Sequence, residues 1–369
     1  RLGRASGRAA SLRLREARWV AGAARAHRAS LPAVAARASR LRREGWHVGD
    51  LALLGLLDPH EGPARERWAV RRGEVLALQE ALNPAWTVPE TLDKRRFAAA
   101  CARHGIPTPP LAAVLERAGG RRATAAGWAR ALAERAPAEA VVKPASGELG
   151  VGVRVLRREG PGARDAAGRR WSWDGLAADL ARARHEAYVV QPRLRPCAEL
   201  RRLSGSDVLQ CLRIVTLLDE RGRAEVLYAA LRISASAAVV DAFRAPGSGA
   251  TGNLIARVEA DGTLATPVAV APGGYGLVRV AVHPATGAVL AGRAAPGWEA
   301  ARALALRAAE AFTPLRTAGW DVAPTDHGPV VVEGNAWWGA TGDPDGALLP
   351  VRDALRRAAA ARSPATAGA

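Results

Sequence analysis

Methionine is absent from this 369-residue chain, and of its 53 Lys+Arg only two, Lys94 and Lys143, are lysine. Cysteine and asparagine occur three times each. The cysteines, Cys101, Cys197 and Cys211, are odd in number, scattered and never spaced C-x-x-C. They imply neither a disulfide framework nor a zinc site, and a reducing cytoplasm is the expected compartment. Long apolar runs are missing too. The longest near the front, Leu51 to Leu57, is far too short to span a bilayer. There is no GxxxxGK[ST] phosphate loop, no strand-turn-helix dinucleotide fingerprint and no HRD or DFG of a protein kinase. No internal repeat is visible. The chain starts at Arg1, so its first residues neither reveal nor exclude a leader segment.

What is present is ordinary globular material, 49% hydrophobic and 24% charged, long enough for two or three packed domains. The net charge of +18 raises the possibility of a polyanion partner, and residues 1–47 hold twelve arginines against Glu16 and Glu44. Arginine is used throughout the chain, however, and only Trp19 and Trp46 are interleaved with it in that segment. Arg with Ala and Leu at helical spacing reads as a solvated helix face, so nucleic acid is not the expected partner.

In a chain so dominated by arginine, a lysine is informative. Arginine serves for generic surface charge but not where a compact ammonium must fit at a point. Lys94 follows Asp93, a plausible N-cap for a helix reaching His104. Lys143 ends the apolar run Ala140-Val141-Val142 and precedes Ser146-Gly147-Glu148-Leu149-Gly150-Val151-Gly152. Glycines there let backbone N–H groups approach phosphate oxygens. The pair suggests a nucleotide clamp; two residues that escaped compositional drift by chance are the plain alternative.

The pattern elsewhere predicts one or two basic helices over 8–45, a helix over 62–82 ending at Asn83-Pro84, and helices over Thr124–Arg135, Trp173–His185, Trp298–Arg316 and Leu348–Ala361. Strands are expected at Val141–Lys143 and Val151–Leu156 around the glycine turn, and at Tyr188–Gln191, Cys211–Leu218, Glu225–Ile233, Ile255–Val258 and Leu277–Val282. Gly162–Gly168 and the glycine-rich Asp241–Asn253, with its basic Arg244, read as loops.

A second constellation lies near the end. Trp320–Val322 and Val330–Glu333 form a hairpin. Glu333 and Asn335, two apart on a strand, share a face. Asp321 joins that face if the hairpin loop is odd in length and leaves it if the loop is even. Three such oxygen ligands suit Mg²⁺; an ordinary polar hairpin end is the alternative. Arg213 and Arg232 lie in otherwise apolar strands. Buried, each needs an anion, which a phosphate or substrate carboxylate would supply; both could also be outward-facing edge residues.

Taken in order, these pieces resemble the ATP-grasp superfamily. They are Leu92-Asp93-Lys94-Arg95-Arg96-Phe97 with Gly105-Ile106-Pro107-Thr108-Pro109, then Val142-Lys143-Pro144, the glycine loop, Val190-Gln191-Pro192, Arg213, and Asp321 with Glu333-x-Asn335. The sugar-transfer-associated, glutamate-ligase-related branch is echoed by Gln191-Pro192-Arg193-Leu194, Leu212-Arg213-Ile214-Val215-Thr216, His283-Pro284-Ala285-Thr286-Gly287 and Pro296-Gly297-Trp298. The resemblance covers roughly residues 90–345. It departs at Asp241-Ala242-Phe243, where the pattern is Asp-Asn-Phe.

The resemblance implies an α+β ATP-grasp fold, two α+β lobes clamping ATP behind a helical N-terminal region. The implied division is a basic helical region 1–90, a central lobe 91–190 with a glycine-rich lid, a C-terminal lobe 191–362 with the metal site, and a tail 363–369. It also implies roles. Lys94 and Lys143 hold the ATP phosphates under Ser146, Gly147, Gly150 and Gly152. The backbone from Gln191 to Leu194 pairs with adenine, Glu199 takes the ribose hydroxyls, and Asn253 contributes from the substrate loop. Arg213 and Arg232 are catalytic, and Asp321, Glu333 and Asn335 hold Mg²⁺. The implied reaction joins a small-molecule carboxylate to an amine at the expense of ATP through an acylphosphate. Two other readings stay open: a relative modifying a sugar-linked substrate, and a polyanion binder using the basic N-terminal arm.

Overall fold

The computed structural model describes residues 16–147, 150–183, 185–243, 250–339 and 345–362. The start of the helix expected over 8–45, Glu148-Leu149 of the glycine turn, Arg244 and the tail 363–369 lie outside the described residues.

Helices come first: α1 (16–26), α2 (Leu31–Arg43), α3 (Val48–Leu53), α4 (Gly62–Arg65), α5 (Arg72–Leu82), α6 (Pro89–Leu92) and α7 (Lys94–Arg103). Ser30 caps α2, accepting the Ala33 N–H, and Pro32 stands in its first turn, where its missing N–H costs nothing. Val34, Ala38 and Leu41 recur on one face of α2 and bury against Leu51, Leu56 and Leu57. The arginines on the other side turn to nearby acids. Arg37 pairs with Glu66, Arg40 with Glu44 and Glu66, and Arg42 with Glu16. The single helix expected over 62–82 is instead split into α4 and α5. Trp68, Ala69 and Val70 between them are consecutive and all half-buried, a demand that a helix with one inward face cannot meet.

The first sheet has six antiparallel strands, β1 (Ala113–Glu116), β2 (Glu139–Pro144), β3 (Arg154–Glu159), β4 (Gly162–Asp165), β5 (Arg170–Ser172) and β6 (Ala187–Pro192), in the order β1-β6-β2-β3-β4-β5. Helices α8 (Arg121–Arg135) and α9 (Trp173–Arg182) bury Trp128, Leu132, Leu176 and Leu180 against Leu115, Val142, Leu156 and Val190. Gly162–Gly168, expected as a loop, begins with β4: a tight turn at Gly160, with φ +55°, lets Gly162 pair back with Glu159.

After the short α10 (Ala198–Ser204) comes the second sheet. It comprises β7 (Leu212–Leu218), β8 (Ala224–Ile233), β9 (Leu254–Arg257), β10 (Val268–Val270), β11 (Leu277–Arg279), β12 (Thr317–Thr325) and β13 (Gly328–Asn335), ordered β11-β10-β9-β8-β7-β12-β13. Helix α11 (Trp298–Ala311) packs its alanine-rich face on one side of this sheet. It stops short of the expected Arg316 because Pro314 has no N–H to donate and restricts the residue before it. The last helix, α12 (Leu348–Arg362), joins α5 and α3 over the other side, where Leu53, Leu82, Val351 and Leu355 meet Val215, Tyr228 and Ile255. Among the described residues no helix is long and apolar enough to cross a membrane.

The helical region is pinned to the second sheet by two amides. Gln79 donates to the Trp338 carbonyl at 2.8 Å. Asn83, 3% exposed, donates to the carbonyls of Thr317 (2.9 Å) and Ala336 (3.2 Å) and accepts from the N–H groups of Arg316 and Thr317, both at 3.0 Å. Asn83→Ala strips these buried backbone groups of their partners and is expected to lower unfolding stability by about 3 kcal/mol. Urea denaturation measures it; a loss below about 0.5 kcal/mol would show that water replaces the amide without penalty.

Candidate active-site cleft

The β12–β13 hairpin turns through a two-residue loop, Asp326-His327, closed by the pair Thr325 and Gly328. With that even loop alone, Asp321 would face Val332, and Glu333 would lie on the opposite surface. A β-bulge reverses this. Val322 pairs with Val331, Asp321 with Glu333 and Gly319 with Asn335, which leaves Val332 as the extra residue. Asp321, Glu333 and Asn335 therefore share one face of the sheet.

Asp321 is 7% exposed and sits opposite Arg213 of β7. Arg213 donates Nε to Oδ1 at 2.5 Å and Nη2 to Oδ2 at 3.0 Å. Arg232 of β8 adds Nη1 to Oδ2 at 3.2 Å and lies 3.8 Å from Asp241 Oδ1. Burial pushes the Asp321 carboxyl up, but the two guanidiniums outweigh it and hold it below the usual carboxylate range. Asp241, which accepts the Cys211 N–H at 2.9 Å, is raised: burial and the charge of Asp321 outweigh Arg232. The anion that the sequence pattern requires for both arginines is thus supplied from within the chain. Gly319 makes the approach possible, since a Cβ there would stand 2.7 Å from Trp338 Cβ and 3.1 Å from Arg213 Cδ.

Lys94 opens α7 behind its N-cap Asp93, whose side chain accepts the Arg95 N–H at 2.9 Å. Its own N–H donates to the Ala145 carbonyl at 2.9 Å, its Nζ to the Gly147 carbonyl at 3.3 Å, and Nζ lies 3.9 Å from Glu333 Oε2. One lysine thereby links α7, the loop between β2 and β3, and the β13 carboxylate. Lys143 projects from β2. Desolvation and then the charge of Lys94 push its ammonium down to about 8, against the partial support of Glu333, Cys211 and Asp321.

Two adjoining cavities separate the sheets. The smaller, about 500 Å³, is lined by Val141, Lys143, Leu156, Gln191, Leu194 and Val332. The larger, about 660 Å³, brings together Lys94, Lys143, Arg213, Arg232, Asp321, Glu333 and Asn335, with Gly147 and Gly150 of the glycine loop. Lys143 and the bulged Val332 line both. Gly150, at φ +69°, lies so close to Val240 that a Cβ would meet its Cγ2 at 3.0 Å, so the loop already reaches the second sheet's side of the cleft.

Other expected site residues lie elsewhere. Ser146 and Gly152 are exposed in the same loop and line neither cavity. Glu199 sits on α10, outside both linings. Asn253 is fully buried with its amide engaged, donating to the carbonyls of Val240 (3.0 Å) and Ala242 (3.1 Å) and accepting from Ala235 N–H (3.0 Å) and Ser236 Oγ (2.9 Å). It braces the segment carrying Asp241 and does not line the cleft. The Gln191 side chain is likewise spent on the Pro109 carbonyl at 2.9 Å. The motif reading passed over the N-terminal wall of the larger cavity, Leu53, Leu54, Trp68 and Val70. Its one sequence signal was the apolar triplet 68–70, which breaks helical periodicity.

Two antiparallel sheets, with a lysine-bearing strand leading into a glycine loop on one and a carboxylate-amide hairpin on the other, define an ATP-grasp protein. Residues 76–348 match the model of the sugar-transfer associated ATP-grasp family, and the chain belongs to that family. No curated protein matches its sequence. Solved structures similar to it include D-cycloserine synthetase DcsG, 20% identical over 78% of this chain and 81% of that one, with a TM-score of 0.38. Also similar are an L-amino acid ligase from Bacillus licheniformis (13%, 73% and 51%, TM-score 0.40) and a biotin carboxylase from Campylobacter jejuni (11%, 76% and 48%, TM-score 0.42). The chain spans about half the length of the latter two. At these scores the likenesses carry no argument about substrate.

A lysine lowered from 10.5 to about 8 in the folded chain costs stability at neutral pH, and that cost is relieved as pH rises from 8 to 10.5. A polyphosphate seated beside Lys143 must restore its proton. Nucleoside triphosphate binding at about pH 9 is therefore expected to take up close to one proton, and affinity to fall by up to about tenfold per pH unit above about 8. Calorimetry in buffers of different ionisation enthalpy reads the uptake, which Lys143→Gln should abolish. Affinity flat across that range would contradict it.

Proposed function

We propose that the chain is an ATP- and Mg²⁺-dependent ligase that joins a small-molecule carboxylate to an amine through an acylphosphate. The observation that carries this reading is that the only two lysines of the sequence, from separate elements, line one cavity with Arg213, Arg232, Asp321, Glu333 and Asn335. Its proposed halves are the lobes 91–190 and 191–362, with 1–90 ahead of them and 363–369 a tail.

The residues present suit both ligands. The lowered pKa of Lys143 is that of an ammonium short of an anion. Glu333 and Asn335 offer oxygen donors on a common face, as Mg²⁺ prefers, and Asp321 stands opposite Glu333. When bound, Mg²⁺ neutralises charge on the transferring phosphoryl group.

The chain's own contribution is positioning and charge. Lys94 and Lys143 hold phosphate oxygens, and the loop around Gly147 and Gly150 covers them and keeps water out. Gln191 to Leu194 line the smaller cavity with Val141, Leu156 and Val332, and the adenine base is assigned to it. Arg213 and Arg232 orient the substrate carboxylate. Its oxygen attacks the terminal phosphorus while the bond to ADP breaks; the amine nitrogen then attacks the acyl carbon, phosphate leaves, and the nitrogen sheds a proton.

The discriminating measurement is nucleotide release from Mg-ATP with a panel of carboxylates and amines. ADP and phosphate are expected; AMP and pyrophosphate would overturn the acylphosphate route. Glu333→Gln is expected to cut turnover by about 100-fold or more without altering the circular dichroism spectrum, and a variant as active as the parent would remove Glu333 from the site.

A further inference from the structure

The larger cavity, which holds the two arginines, also includes an apolar chamber. Leu53, Leu54, Trp68 and Val70 of the helical region form one wall, and Tyr228, Phe243 and Trp337 also line it. The family match begins at residue 76, so the first wall is built by a part of the chain outside it. That wall is preformed: Leu53, 3% exposed, belongs to the same packed cluster as Tyr228, Phe243 and Ile255. Charged lining residues on this side are Asp50, Arg72 and Glu80, and the latter two are exposed toward solvent.

We infer that this chamber seats the apolar body, of aryl or branched-alkyl size, of the carboxylate substrate, whose head lies on Arg213 and Arg232; the inference rests on the ligase reading above. A sugar ring carries hydroxyls around its edge, and each buried hydroxyl needs a partner. Leu53, Leu54, Val70, Ile255 and Phe243 supply none, and the polar groups beside them, Asp50, the Tyr228 hydroxyl and the indoles of Trp68 and Trp337, are too few to serve a whole ring of hydroxyls. An aryl or alkyl group instead gains from leaving water in proportion to its area. The head group is equally specified. A guanidinium carries five N–H donors; Asp321 engages two nitrogens of Arg213 and one of Arg232, Arg213 Nη1 also donates to the Gly339 carbonyl at 3.5 Å, and Asp241 lies 3.8 Å from Arg232. Donors remain for a second, external carboxylate, held by charge-assisted bonds.

The test is calorimetric binding to the full chain loaded with Mg²⁺ and a non-hydrolysable ATP analogue, using phenylpropanoate, isovalerate, glucuronate and acetate as probes. Phenylpropanoate and isovalerate are expected to bind at least about tenfold tighter than glucuronate and acetate. Val70→Trp, which fills the chamber, should erase that preference while leaving analogue affinity within about threefold. If Val70→Trp melts the fold, Leu76→Trp, placed at a lining position 37% exposed, reads the same effect. Arg213→Gln should weaken all four probes. Glucuronate binding as tightly as phenylpropanoate, or a preference untouched by the filling variants, would overturn the inference. Analogue bound without any apolar preference sinks the inference alone; no analogue binding by the parent sinks the ligase reading itself.

Discussion

The cleft depends on one buried ion cluster, Asp321 held between Arg213 and Arg232. Taking three charged groups out of water is expensive, and they are stable together only because each satisfies another. Arg213 contributes two bonds at 2.5 and 3.0 Å and Arg232 one at 3.2 Å, from adjacent strands of the same sheet. Removing the carboxylate would leave Arg213 desolvated without an acid and Arg232 with Asp241 alone at 3.8 Å, so the cluster fixes where both arginines point. Local sequence serves this arrangement: Gly319 clears the path of Arg213, and the bulge at Val332 brings Glu333 opposite Asp321. The same cluster constrains chemistry. Asp321 is already neutralised by two cations, whereas among the described residues Glu333 has a salt bridge only with Lys94, at 3.9 Å, and Asn335 carries no charge. Any cation entering the cleft therefore meets its strongest uncommitted field on the β13 side.

The lysines sit at the opposite pole of that field. Lys143 is repelled by Lys94 and starved of water, so its charge is held against its own tendency to lose a proton. Lys94 is pinned by a loop carbonyl and a distant carboxylate. Cations gathered this way are preorganised for a polyanion. The protein has met the cost of assembling them during folding, and an entering phosphate need not reorder flexible chains. A planar guanidinium in place of Lys143 would spread its donors over a wider front in a confined space.

Both lysines were legible in the sequence because residue type alone singled them out, and the Glu333-x-Asn335 pair because a strand's period of two is rigid. The side taken by Asp321 was not legible. Loop parity and bulge act in opposite senses, and a bulge within Val330-Val331-Val332-Glu333 leaves no mark in a run of like residues. Nor could spacing reveal that Arg213 and Arg232 answer to Asp321, since the partner lies 108 and 89 positions away. Asn253 resembled a ligand by its place in a glycine-rich loop, yet its amide is consumed by four local bonds. The helix expected over 62–82 failed because tertiary burial of three consecutive residues overrode local propensity.

The asparagines sharpen the lesson drawn from the lysines. In a chain weighted toward Ala, Arg and Gly, only Asn83, Asn253 and Asn335 occur. Asn83 donates and accepts at once to bind α5 to the second sheet, and Asn253 does the same around the segment 240–243. Aspartate would offer no donors at either place, and glutamine would be one methylene too long. Asn335 stands beside Glu333 and donates to the Gly319 carbonyl at 3.3 Å, at the glycine that admits Arg213. Asn83 and Asn253 are held where a short side chain must present N–H and C=O together, as each lysine is held where a single compact charge is wanted. Scarce residue types in a biased composition thus mark positions at which geometry leaves no substitute, and here they fall on the frame of the cleft as well as on its lining.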